Sequence, residues 1–286
     1  MNRWPPLLVV LAMIAGLIAL DQNASDQSLA VPTPVVQAGG PVAAAADASG
    51  TTWYCPAGFI TPDAANDHVV ILTNPTDELA TGTLTIYPSL LDVDGNPLPF
   101  PRAVQPIEVP AGAQRQVSLA PLVASLDDRL STNTGAFVAA LAEFDGAGVT
   151  VEHTVVAAQG SDVGPCATSA STSWWFASGT TTADVAYQLY LLNPFPDDAV
   201  VDISFVTDAG SRSPTAFKGK LVPAQSLTVL QVAPEVPVNA QMTAQVTVLT
   251  GRVIAERLQL FENEAGPRGL SLSLGSNRLA EQWFFP

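Results

Sequence analysis

Few side chains in this sequence could carry chemistry. Its 286 residues include two histidines, His68 and His153, and two cysteines, Cys55 and Cys166. His153 lies in the run Val149 to Val156, where a period of two places it on one strand face with Val149, Val151 and Val155. Acid–base work needs a ring open to substrate, so that face predicts a structural histidine. His68 follows Asn66-Asp67 just before a strand and is expected to be exposed. Ser161 is flanked by Gly160 and Gly164 but lacks the strand-to-helix turn that presents a nucleophilic serine. No G-x-S-x-G elbow, H-E-x-x-H helix or phosphate-binding glycine loop occurs. Paired carboxylates could serve a glycosidase. The pairs here, Asp77-Glu78 and Asp197-Asp198, directly follow strands, where acidic residues suit turn geometry. Asp92-Val93-Asp94-Gly95-Asn96 starts like a calcium loop, but its twelfth position is Ala103 and prolines interrupt it, so a plain turn is expected. A calcium ion held by Asp77, Glu78, Asp197 or Asp198 stays open as the lesser alternative. The chain therefore reads as a non-enzyme with no catalytic residue, metal or cofactor.

The overall charge narrows the partners. Acidic residues outnumber basic ones 26 to 11, for a net charge of −15. Such a surface repels phosphate backbones and anionic headgroups, so nucleic acid is not an expected partner. After Arg3 the next basic residue is Arg102, and the intervening acidic side chains read as a solvated surface.

The N-terminus indicates export. Arg3 precedes an uncharged apolar run from Trp4 to Leu20, closed by Asp21. A basic flank before such a run directs translocation with the positive side retained. The possible cleavage ends, Ala19 and Ala24, place Leu17 and Gln22 at the −3 position, which fits cleavage poorly. An uncleaved signal anchor over residues 1–20 is therefore favoured over a signal peptide, with the membrane as a partner through this segment. Residues 21–50, rich in Ala, Pro and Gly and without periodicity, read as a flexible tether. Beyond it, an oxidising compartment favours a Cys55–Cys166 disulfide. The loop it closes, about 110 residues, corresponds to roughly 4–5 kcal/mol of chain entropy.

The rest of the chain is short strands punctuated by turns. Apolar or alternating segments are Val69–Thr73, Thr83–Tyr87, Ile107–Pro110, Gln116–Leu119, Phe137–Glu143 and Val149–Val156, with one short helical turn within Leu122–Leu130. A second set follows from Trp174, and the two sets match in order. Trp53 and Gly58 align with Trp174 and Gly179, and Asn74-Pro75 with Asn193-Pro194. Val109-Pro110-Ala111 aligns with Val222-Pro223-Ala224, and Ala120-Pro121 with Ala233-Pro234. Glu152-His153 aligns with Glu256-Arg257, and Gly164-Pro165 with Gly266-Pro267, which makes Phe176 and Arg268 the counterparts of Cys55 and Cys166. The expected fold is all-β: two tandem immunoglobulin-like β-sandwich domains, 51–168 and 169–286, behind the anchor and tether. Gln282-Trp283-Phe284-Phe285-Pro286 looks like the opening of a third copy, which is favoured over a closing strand.

Trp174 and Trp175 are consecutive on an expected strand and so face opposite sides. One should enter the core, leaving the other for an interface or for stacking against a sugar ring.

These motifs together resemble one family. Trp53 to Gly58 and Trp174 to Gly179, the segments Leu72–Ala80 and Leu191–Ala199 around Asn-Pro, the Val-Pro-Ala turns, and Gly266–Gly275 before Trp283 are similar to actinobacterial exported proteins grouped as domain of unknown function 5719. The resemblance covers nearly everything after about Thr51. It implies a membrane-tethered, extracytoplasmic, immunoglobulin-like protein of the cell envelope. It supplies no catalytic or binding residues, and its members are longer than this chain. The resulting expectation is a binding or scaffolding ectodomain whose partner is an envelope protein or glycan. The alternative is a carbohydrate-binding accessory module for a cell-wall or polysaccharide enzyme.

Overall fold

A computed structural model describes residues 49–61, 63–91, 97–126, 135–236, 238–262, 266 and 268–280, together with Met13. The expected anchor and most of the tether, the turn at Asp92–Asn96, residues 127–130 of the expected helical turn, and Gln282–Pro286 lie outside the described residues. Among the described residues, no helix is long and apolar enough to cross a membrane. The described strands all belong to the unit Gly39–Pro286.

The first half of that unit contains β1 (Gly50–Cys55), β2 (Phe59–Ile60), β3 (Asp67–Asn74), β4 (Ala80–Leu91), β5 (Pro97–Pro99), β6 (Ala103–Val109), β7 (Ala113–Ser118), the helix α1 (Ala120–Ala124), β8 (Ala136–Asp145), β9 (Thr150–Ala157) and β10 (Gly160–Pro165). The second contains β11 (Ser173–Gly179), β12 (Val185–Asn193), β13 (Ala199–Thr207), β14 (Gly210–Arg212), β15 (Lys220–Val222), β16 (Ser226–Gln231), β17 (Met242–Thr250), β18 (Ile254–Glu262) and β19 (Arg268–Leu274). The protein is all-β, with every assigned ladder antiparallel.

The described strands form four sheets, two per half. In the first half one sheet runs β1-β8-β4-β5, with β2 on β8 and β6 on β4, and the other runs β10-β9-β3-β7. The second half repeats this order as β11-β17-β13-β14, with β15 on β13, and β16-β12-β18-β19. The inner faces of the first pair enclose Trp53, Val70, Leu72, Leu84, Ile86, Ile107, Ala142 and Val151. Alternation along β3 explains the packing: His68, Val70, Leu72 and Asn74 are buried, while Val69, Ile71 and Thr73 are half-buried.

The ladder registers decide which residues correspond between halves. Trp53 lies opposite Ala142, which lies opposite Leu84. Trp174 lies opposite Val246, which lies opposite Ile203. Val70 pairs His153 as Leu189 pairs Arg257, four residues before Asn74 and Asn193 respectively. The Glu152-His153 match to Glu256-Arg257 therefore holds in three dimensions. The match of Gly164-Pro165 to Gly266-Pro267 does not. Pro165 lies opposite Glu152, and Leu274 lies opposite Glu256, so the last strand of the second half is displaced along the sequence from that dipeptide match. The true counterpart of Gly160 is Gly269, and both adopt positive φ, 146° and 143°.

That correction changes the counterpart of the crosslink. Cys55 and Cys166 form a disulfide joining the end of β1 to the residue after β10, as expected, with a sequence separation of 111. Cys166 corresponds to Gly275 and not to Arg268. In the second half a Cβ on Gly275 would come within 2.7 Å of the Phe176 ring. A phenyl ring packed on a glycine stands where the first half has a covalent bridge.

The repeated Asn-Pro turns are polar staples. Asn74 Nδ2 donates to Glu78 O (2.8 Å) and Val109 O (2.9 Å), and Oδ1 accepts from Thr76 N (3.1 Å). Asn193 makes the same three bonds, to Asp197 O (2.9 Å), to Val222 O (3.1 Å) and from Phe195 N (3.1 Å). Pro75 and Pro194 follow without breaking a ladder, because β3 and β12 end at the asparagine.

Reduction of the disulfide should lower unfolding free energy by about 2–5 kcal/mol. Denaturant midpoints with and without reductant measure it. Asn193→Ala should cost about 2–3 kcal/mol, because it orphans buried backbone groups, and the same measurement checks it.

Candidate functional site: a buried His-His-Glu chain

Among the described residues, the fold gathers one buried chain of titratable groups where the halves meet. β3 carries His68 and β9 carries His153 on the inner face of one sheet, and both are fully buried. Glu256 on β18 reaches in from the second half and is also fully buried. His68 Nδ1 lies 3.1 Å from Val138 O, His68 Nε2 lies 2.9 Å from His153 Nδ1, and His153 Nε2 lies 3.2 Å from Glu256 Oε1. The second carboxylate oxygen accepts from Ala57 N at 3.0 Å.

The partners fix the protons. A carbonyl only accepts, so His68 Nδ1 donates to Val138 O. Burial, and secondarily His153, hold the His68 pKa well below its ordinary value, so the ring is neutral and its Nε2 accepts. His153 Nδ1 must then donate to it. His153 Nε2 and Glu256 Oε1 cannot both be bare at their separation, so one proton lies between them. The chain runs from a β8 carbonyl to a β18 carboxylate across the junction.

Packing around it is close. A Cβ on Gly58 would lie 2.2 Å from His68 Nδ1, and one on Gly164 would lie 3.0 Å from Leu272 and 3.5 Å from Glu256 Oε1. Tyr190, opposite Glu256 on β12, donates from its hydroxyl to Gln188 Oε1 (2.8 Å) and meets the Phe137 ring edge-on at 5.8 Å. Burial, and then the Glu256 carboxylate, push its pKa well up. Leu272 N donates to Asp162 Oδ2 at 2.8 Å, adding a second tie between the halves.

His68 thus departs from the exposed position expected of it. The polar pair Asn66-Asp67 looks like a loop, but Asp67 accepts from Ser118 Oγ (2.5 Å) and from Ala120 N (3.0 Å) at the start of α1. With its carboxylate satisfied there, Asp67 opens β3 and carries His68 inside. His153 lies on the buried face with Val151 and Val155, as alternation predicts. Nothing local in the sequence signals Glu256 as a partner, since its contact with His153 spans 103 residues. Its one trace was the alignment of Glu152 with Glu256.

The other candidates lie apart. Trp174 is buried and donates from Nε1 to Val253 O (2.9 Å), so it is the tryptophan that enters the core and is closed to a sugar. Trp175 is half-buried and pairs through its backbone with Ser276. Ser161 is exposed on β10. Asp77 and Glu78 are exposed, and Asp198 accepts from Ala224 N at 2.8 Å, a turn bond. Among the described residues no three His, Cys, Asp or Glu side chains converge as a metal site.

The fold is thus that of an all-β sandwich-like protein with a structural crosslink and a buried polar joint. The family of unknown function DUF5719 matches residues 132–281, over half of the chain, and the chain belongs to that family. No curated protein matches its sequence. Among solved structures, a Thermotoga maritima protein is similar at 13% identity and a TM-score of 0.33, over 37% of this chain and 92% of that one. Red sea bream transglutaminase is similar at 10% identity and a TM-score of 0.16, over 81% of this chain and 30% of that one.

Glu256→Ala should cost about 3–5 kcal/mol, since it strands a buried ring nitrogen and a backbone N–H, whereas Glu256→Gln should cost about 1–2 kcal/mol. Paired denaturation curves test the ranking. Stability should fall as pH drops below the ordinary His value of 6.5 toward the depressed folded-state value, because only the unfolded chain readily protonates His68. The same titration on His68→Gln should lose that component of the slope.

Proposed function

We propose that the chain is a non-enzymatic, membrane-anchored, extracytoplasmic envelope protein whose two immunoglobulin-like sandwiches act as a binding or scaffolding ectodomain. One observation carries this reading above others. Both histidines and the buried glutamate, the groups best suited to catalysis, have their polar atoms bonded to one another and to the backbone across the junction. They hold two sandwiches in a fixed relation, which is what a scaffold needs and what a hydrolytic site does not. The disulfide supports an oxidising location, and the apolar run behind Arg3 supports a membrane tether. The carbohydrate-binding alternative loses Trp174 as a stacking platform, since that ring is in the core.

A protease-accessibility experiment tests the assignment. With the full chain expressed in an export-competent bacterium, the protein should sediment with membranes. Protease added outside spheroplasts should degrade it, and a non-reducing gel should show Cys55 bonded to Cys166. Recovery in the cytosol with both thiols reduced would overturn the proposal.

A further inference from the structure

The second half carries an empty version of the site that Glu256 fills in the first. Register makes Arg257 the counterpart of His153 and Tyr187 the counterpart of His68. Gly179 corresponds to Gly58: each would put a Cβ against the ring below it, at 2.5 Å from Tyr187 and 2.2 Å from His68. Ser178, counterpart of Ala57, bulges out of the β11–β17 register with φ of 56°. Arg257 is only 6% exposed. Its Nη1 donates to Ala177 O at 2.6 Å, its guanidinium stands 5.8 Å from the Tyr187 ring centre, and its Nε has no hydrogen-bond partner. Among the described residues the ion pair joins His153 and Glu256, and no carboxylate pairs with Arg257. A buried cation without a counter-charge is costly. Ala177, Ser178 and Gly179, the backbone behind which Arg257 lies, also line an open cleft of about 640 Å³, walled further by Val206, Asp208, Gln241 and Phe261. Val206, 56% exposed, corresponds to Tyr87, which is buried under the second half.

The complementary face lies on the first half. Glu152 is the register counterpart of Glu256: it lies opposite Ile71 as Glu256 lies opposite Tyr190. Unlike Glu256 it is exposed, and Val163, the counterpart of the buried Leu272, is 55% exposed beside it. One chain therefore has a carboxylate on an uncovered sheet face at one end and, at the other, a buried guanidinium that meets a carbonyl and a phenol but no carboxylate, behind the backbone that lines a cleft.

We propose that two copies of this chain associate head to tail, with Glu152 of one copy entering the cleft of the other and pairing with Arg257. The contact repeats between molecules the junction already present within one. A small carboxylic acid would neutralise the arginine but leave Val206, Val163 and the sheet face open, whereas a second copy covers all of them. Because the two surfaces are different, the contact does not close on itself, and assembly continues beyond dimers. This inference is independent of the compartment and anchoring proposed above.

Sedimentation velocity of the full chain from low micromolar to several hundred micromolar tests it. Wild type should show rising mass with concentration. Glu152→Lys, at an exposed position that leaves the fold intact, should weaken association by at least about tenfold, and Val206→Asp should do the same. Mixing a Val163→Cys chain with a Ser271→Cys chain, the register counterparts of Leu272 and Asp162 that meet across the junction, should give a disulfide-linked heterodimer that neither variant gives alone. A chain that stays monomeric, association unchanged by Glu152→Lys, or the absence of the mixed crosslink would each overturn the proposal. Survival of the fold in both variants separates these outcomes from mere unfolding.

Discussion

The structure depends on one carboxylate crossing from the second half into the first. Glu256 extends from β18 and ends inside the opposing sandwich, against His153 and the Ala57 amide. Taking a carboxylate out of water is expensive, and the cost is offset only when every lone pair finds a donor. Here the donors come from the other half, so Glu256 is stable only when the halves are docked. Docking in turn buries β4 and β12 on both faces: along β4 every residue from Leu84 to Leu90 is buried, and along β12 every residue from Tyr187 to Asn193. An open sandwich would show alternation on these strands. Its loss records a second layer laid over each sheet, and the core of the second half accordingly continues into Ala57, Tyr87, Ala139 and Leu141 of the first.

The paired sites show how one backbone plan accommodates different chemistry. The inward positions on β3 and β9 hold two imidazoles, which are short and must be met by a carboxylate that reaches deep. The same positions on β12 and β18 hold a phenol and a guanidinium, and the longer arginine extends to the edge of its sandwich at Ala177. Burial pushes the Tyr187 pKa up to about 12, with Arg257 acting in the opposite direction. The glycines at 58 and 179 are required in both halves for the same reason, since each backbone lies directly on a ring. Side-chain length thus decides whether the charged group sits at the centre of the joint or at its rim.

Much of this architecture is legible in the sequence. Alternation and turn residues locate most strands, and the Asn-Pro, Val-Pro-Ala and Ala-Pro matches establish the duplication that the registers bear out. The cysteine pair is readable from the number of cysteines and the apolar run behind Arg3, which leads the sequence to expect an oxidising compartment. The failures share a cause. His68 looks exposed because the satisfaction of Asp67 by Ser118 and the α1 backbone is a tertiary fact. Gly-Pro in the second half invites a false match because loop length changed before β19, and only pairing with β18 fixes the frame. Glu256 and its partners are invisible locally because their contacts span more than a hundred positions.

The corrected frame also bears on why one half is crosslinked and the other is not. Each half must hold its first strand to the segment leaving its last, since both lie at sheet edges where few ladder bonds restrain them. In each half a backbone bridge does part of this, Tyr54 with Ala167 and Trp175 with Ser276. In the second half Phe176 covers Gly275, burying a ring over a position where any side chain would collide. A phenylalanine at Cys55 would need a partner glycine at Cys166, as Phe176 has in Gly275. Cys55 lies two residues before Ala57, whose amide donates to Glu256 Oε2, so the covalent bridge anchors the very segment that receives the carboxylate. The second half receives no such side chain from its neighbour among the described residues, and there a ring packed on a glycine closes the same edge without a bond.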